Sequence, residues 1–176
     1  MKVSKYLLLK LALLFFLFPT FLAAQEEQSK LTGPVVKGIV EQFVSMHYSQ
    51  KPLDDEMSTK IFKLFLNRLD PAHYYFLEAD VAEFRNYETR VDEMLRRGNA
   101  NLALDIFERF KTRLSERLAM MEEFVGEDFD FSVDASWTLE RKDQPYPQTT
   151  ADARVIWRTK IKFDLLTLKL GDTSLK

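Results

Sequence analysis

The chain contains no cysteine, so disulfides and a thiol-linked lipid anchor are both excluded, and any fold must be held by packing alone. Its five glycines are few for an all-β protein and too scattered to form a phosphate-cradling loop. The two histidines, His47 and His73, are too few for most catalytic zinc sites. No serine is followed three residues later by a lysine and no G-x-S-x-G occurs, so two local signatures of a serine nucleophile are missing. The formal charge of −2, with no basic face interleaved with aromatics, gives no case for nucleic acid. No long membrane-spanning run is present either. The uninterrupted apolar stretch Leu11 to Phe18 falls well short of the roughly 20 residues a bilayer requires.

What is present is a globular composition, 46% hydrophobic and 30% charged over 176 residues, with two tryptophans and fifteen phenylalanines best explained as core. Residues 1–24 combine Lys2, Lys5 and Lys10, the apolar LALLFFLF, Pro19 and the small-residue sequence FLAA, which reads as a cleaved secretory signal rather than a stable membrane anchor. Without its three lysines, the exported part carries 22 basic against 27 acidic residues, about −5.

The rest of the chain is organised around Ser58 to Phe84. Ile61, Phe62, Phe65, Leu66 and Leu69 recur at the spacing of one helix face, and Asp70-Pro71 ends the helix because proline disfavours the α conformation before it. His73, Tyr74, Tyr75, Phe76 and Leu77 follow at once. So many rings beside a turn predict an inward-packed corner with Phe76 or Leu77 at the centre of the core. Asp80, Glu83, Val81 and Phe84 read as the acidic first turns of the next helix.

The run HYSQKPLDDEMSTKIFKLFLNRLDPAHYYFLEADVAEF, His47 to Phe84, resembles the amino-terminal domain of the tail-specific, or carboxy-terminal processing, proteases. WRTKIKFDLLTLKLGDTSLK, from Trp157, resembles the point where that domain passes towards the rest of the enzyme. KIF, FL-x-x-LDP-x-H-x-YFL-x-x-DV and K-x-KFD occur in the family's order, and the likeness extends over about residues 35–176. The resemblance implies a periplasmic serine endopeptidase with a PDZ module and a Ser/Lys pair flanked by helical domains. Neither module nor pair falls within this sequence, so no catalytic residue is carried over to any position.

Periodicity supplies the other elements. A polar leader spans 25–33; Pro34 suits a first helical turn, and Val35, Ile39, Val40, Phe43 and Met46 mark the face expected to be buried. Asp54 or Asp55 can cap the following helix. A third helix is expected from about Asp80 to Arg97, with Gly98 as its stop. Ala103, Phe107, Phe110, Leu114, Leu118, Met121 and Val125 form a stripe of period about 3.7 that closes at Gly126. Residues 127–150 lose all periodicity, yet Phe129, Phe131, Trp137 and Leu139 predict an irregular arm lying along the helices. Thr149-x-x-Asp152 starts a last helix like a capping box, and Ile156, Trp157, Ile161, Leu165 and Leu168 form its packing row as far as Gly171. The expected fold is all-α, a four- or five-helix bundle over 34–126 with one wrapping arm (127–150) and a C-terminal helix in 151–176.

Candidate chemistry is sparse. His73 with Asp70, Glu78 and Asp80 could surround an ion, but acidic residues at a helix start are better explained by capping and the helix dipole. His47, beside Tyr48, reads as a structural side chain at a helix end, and Glu26/Glu27 and Glu122/Glu123 as solvated charge. No catalytic, cofactor-binding or metal-binding residue is assigned, and no cofactor is expected. Two functional classes follow. One is a non-catalytic, periplasmic scaffold or docking domain of a tail-specific protease. Its partners would be the PDZ and catalytic parts, or a protein adaptor, met through the second apolar row Phe163, Leu166 and Leu170. The alternative is a free-standing periplasmic binding or assembly protein.

Overall fold

The computed structural model describes residues 33–46, 51–133 and 136–174. The leader up to residue 32, the signal-like segment and His47 lie outside these. Six helices are present and no strand occurs among the described residues: α1 (33–46), α2 (Asp55–Leu69), α3 (Glu78–Arg85), α4 (Val91–Arg96), α5 (Asn101–Val125) and α6 (Thr150–Ser174). The protein is all-α. Two compact units are distinguished, one of Met1–Pro52 with Glu93–Ala100, the other of Leu53–Asp92 with Asn101–Lys176.

In the first unit, Val35, Ile39, Phe43 and Met46 of α1 are exposed, against the expectation of a buried face. Besides α1 itself, the described residues of that unit are 51–52 and 93–100. Gly98 does end α4, at φ 71°, where Gly98 N–H donates to the Leu95 carbonyl (2.9 Å) and Asn99 N–H to that of Met94 (2.8 Å). This is the paired closure a left-handed residue permits.

In the second unit, Asp54 caps α2 by accepting from Met57 N–H at 2.9 Å, and the helix stops at Leu69 before Asp70-Pro71. The single helix expected over 80–97 is two. Asn86, Tyr87 and Thr89 have modest helix propensity, and three-residue closures from Tyr87 to Phe84 and from Glu88 to Arg85 turn the chain out of the α ladder. A serine two helices away then fixes the restart. Ser58 Oγ, fully buried, donates to Asp92 Oδ1 (2.9 Å) and accepts from Asp92 N–H (2.7 Å), so it caps the first turn of α4.

Phe76 is fully buried with Leu77 beside it, and its ring meets those of Phe84 (6.4 Å) and Phe110 (5.9 Å). A second cluster joins Met120 and Phe124 of α5 to Trp157 and Ile161 of α6, with Tyr74, Tyr75, Met121, Phe129 and Leu165 packed around it. The arm closes part of this cluster. Phe129 enters it, Trp137 stacks on Tyr74 at 6.2 Å, and Glu78 N–H donates to the Pro147 carbonyl at 3.0 Å; Leu139 instead points outward. Thr149 and Asp152 form the expected reciprocal cap, Asp152 N–H to Thr149 Oγ1 (3.1 Å) and Thr149 N–H to Asp152 Oδ2 (2.9 Å). Helix α6 runs past the expected stop at Gly171 to Ser174. Leu168, expected in the packing row, is exposed, while Phe163 and Leu166 are half-buried.

The face that α5 turns inward takes in only part of the expected stripe, through Phe110 and Met121. Leu102, Ile106, Arg117, Met120 and Phe124 are buried, whereas Leu104, Phe107, Leu118 and Val125 are exposed.

Candidate functional site: a buried polar corner

At the end of α2 the chain must reverse beside Pro71, leaving a string of backbone N–H groups without helical partners. Asp70 supplies them. Its carboxylate, fully buried, accepts from Tyr74 N–H (2.7 Å), Tyr75 N–H (2.9 Å) and Phe76 N–H (3.0 Å). His73 takes a left-handed conformation, φ 53°, to let the backbone fold over that carboxylate. Burial pushes the Asp70 carboxyl above its ordinary value, against the pull of the three N–H donors. The carbonyls on the other side of the turn are met from outside. Trp157 Nε1–H of α6 donates to the Tyr74 carbonyl at 3.0 Å, and Arg117 Nη2 of α5 to that of Tyr75 at 2.8 Å. One turn is thereby tied to both long helices.

The second half of the corner is Asp80, with four contacts to its two oxygens. Oδ1 accepts from Arg109 Nη1 (2.5 Å) and Arg113 Nη2 (2.9 Å); Oδ2 accepts from Arg113 Nε (2.7 Å) and Leu77 N–H (2.9 Å). The contact with Leu77 is the capping half that starts α3. Burial alone would raise this carboxyl, but the bonds from Arg113, Leu77 and Arg109 outweigh it and hold Asp80 below the usual carboxylate range. The same bonds raise Arg109 and Arg113 above their ordinary value. Arg113 also reaches Glu116 at 3.0 Å, and Arg109 reaches Glu83 at 3.0 Å. Arg117 is the exception in this row. It is fully buried, burial lowers it, and its Nε has no hydrogen-bond partner.

On the outer side the arm is latched to the turn. His73 donates Nδ1–H to the Gln144 carbonyl, and its ring stacks on Tyr146 at 3.8 Å. Burial, with the negative charges of Asp70 and Glu78 nearby, pushes the Tyr146 hydroxyl up to about 12.

The four residues that could have surrounded an ion are thus given separate work. Asp70 holds the turn, Asp80 the two arginines, His73 the arm, and Glu78 faces Arg85 at 3.4 Å. Among the described residues no group of three or more His, Asp or Glu is arranged to hold a metal. A general acid or base needs an ionisable group open to a substrate, and both buried aspartates are enclosed by donors. Chemically the corner positions helices. Sequence reasoning missed Arg109, Arg113 and Arg117, although a legible signal existed: three arginines at intervals of four, on one face of a long helix that otherwise carries Leu102, Ile106, Met120 and Phe124. No described helix is long and apolar enough to cross a membrane.

Comparison with known proteins places this geometry. The family model for the tail-specific protease N-terminal domain matches residues 39–176. A tail-specific protease of Haemophilus influenzae is 33% identical over 150 residues, covering 85% of this chain and 21% of that protein. The chain therefore spans about a fifth of that relative's length.

Proposed function

Because the chain belongs to the tail-specific protease N-terminal domain family, we propose that it is the non-catalytic helical platform of an exported serine endopeptidase of that kind. The observation that carries this reading is the reach of the match. It takes in α2 to α6 and the whole polar corner, yet amounts to 21% of the Haemophilus protein, so most of that protease lies in parts that this chain does not align with. The corner gives such a domain what a platform needs. Helices α2, α3, α5 and α6 meet at one turn through hydrogen bonds from side chains on three of them, which resists relative movement when a mobile partner pulls on any one. The PDZ and catalytic parts, or an adaptor, meet the α6 row Phe163, Leu166 and Leu170, of which Leu170 is exposed. Residues 1–24 direct the chain to the periplasm.

The test is a chimera in which this chain replaces the matched segment of the Haemophilus protease. The platform reading expects the chimera to be exported, folded and proteolytically active, and this chain alone to cleave neither peptides nor unfolded proteins. An inactive chimera, or hydrolysis by the purified chain that survives exhaustive purification, would refute it.

A further inference from the structure

We propose that the stripe Leu104, Phe107, Leu114, Leu118 and Val125 along α5 is the surface on which a helix from the remaining part of the protease packs; this rests on the platform reading above. The five residues recur at steps of three, four and seven, so they lie in one row on the helix. From Leu104 to Val125 the row extends about 30 Å, at 1.5 Å per residue. Four of its members are open, at 52% for Leu104, 43% for Phe107, 49% for Leu118 and 60% for Val125. Scattered single apolar residues on a surface are ordinary, whereas four exposed members aligned along one face of a helix mark an interaction site.

The shape of the row indicates its occupant. It is straight, one to two side chains wide and bounded on its outer edge by Glu108, Lys111, Ser115 and Glu122. A single ridge at spacing three and four is what a second helix receives between its own ridges. The charged margin does not select a partner of one sign. Lys111 is already paired with Glu108 at 2.7 Å and lies over the Phe107 ring at 5.5 Å, so attraction comes from the apolar row itself. The Haemophilus relative carries about four-fifths of its length outside the match, which supplies chain to cover it. Phe163 and Leu166 of α6 are half-buried within this chain, so the α5 row is more open than that part of α6.

Amide exchange along residues 104–125 tests the proposal, measured in the isolated chain and in the chimera described above. Exchange in the chimera is expected to be at least tenfold slower. The pair Leu104→Lys with Leu118→Lys should abolish that difference while leaving the isolated chain's unfolding temperature unchanged, because both residues are exposed there. Glu122→Lys, on the margin, should alter neither. The proposal is overturned if α5 exchanges equally in chimera and isolated chain, or if the lysine pair leaves the slowing intact. It is also overturned if the isolated parent sediments as a dimer that the pair dissociates, since the occupant would then be a second copy. Loss of peptidase activity in the parent chimera would count against the platform reading alone, as exchange is read independently of activity.

Discussion

Replacing Asp80 by asparagine keeps the shape of the side chain and removes its charge, which isolates what the carboxylate does for Arg109 and Arg113. Breaking one partner out of a buried ion pair costs about 3–5 kcal/mol, because the remaining charge stays desolvated and uncompensated. Here both arginines keep a second carboxylate, Glu83 and Glu116, each at 3.0 Å, and both retain some solvent contact. The lower end of the range applies, about 3 kcal/mol, a large share of the 5–15 kcal/mol that holds a typical domain together. Urea unfolding followed by tryptophan fluorescence at neutral pH should show that loss. The pH dependence is a second and independent check. Asp80 is held below its unfolded value of about 3.9, so its contribution is fully present above that pH and disappears as pH falls through the lower folded value. The gap between parent and variant should therefore be constant from pH 5 to 8 and shrink steadily below about pH 4. A difference under about 1 kcal/mol at pH 7, or a gap of the same size at pH 2.5, would refute the assignment of Asp80 as the ionic centre of the corner.

Three further outcomes follow from the same geometry. Phe76→Ala empties the centre of the core and should cost about 3–5 kcal/mol in the same urea assay, among the largest losses of any single truncation in the chain. Tyr146 should titrate near 12, as a late phase in the 295 nm absorbance that Tyr146→Phe removes. Since its folded value lies above the unfolded one of about 10, the stability it lends is present below pH 10 and lost as pH rises towards 12, when the arm leaves His73. Gly98→Ala should cost about 1–2 kcal/mol from the left-handed backbone alone. A Cβ there would also stand 2.2 Å from the Gly33 carbonyl oxygen, so faster proteolysis between residues 93 and 100 is the expected sign.

The features that sequence reading located well are those in which a few adjacent residues decide a local structure. Asp54 capping α2, the stop at Asp70-Pro71, the inward Phe76-Leu77, the reciprocal pair Thr149 and Asp152, and the close of α5 at Gly126 all depend on neighbours within about four positions. The break between α3 and α4 depends on Ser58, 34 residues earlier, which caps Asp92. That partnership leaves no trace in the local pattern. For α1, an amphipathic row shows that a helix has an apolar face without showing that this chain covers it.

The rotation of α5 is the most instructive departure, because Phe107, Leu118 and Val125 of the expected stripe face outward while Phe110 and Met121 stay packed. An apolar row is assigned to the core on the premise that charged residues cannot go there, and Arg109, Arg113 and Arg117 violate that premise together. They can turn inward because a counter-charge and a carbonyl await them: Asp80 lies between the first two, and the Tyr75 carbonyl receives the third. Once three arginines at intervals of four are fixed to α3 and the Asp70 turn, the rotation of the helix is set. Ile106, Met120 and Phe124 share their face and follow them inward, and Phe107 and Leu118, about 100° round the helix, are carried outward. Arg113→Met with Asp80→Asn would remove the central ion pair of the corner with little change in side-chain volume. If ion pairing alone fixes the helix, Phe107 and Leu118 should become protected from solvent labelling. If the packing of Met120 and Phe124 on Trp157 suffices, their exposure will stay as it is, and the arginines will prove to be passengers of a rotation set at the other end of the helix.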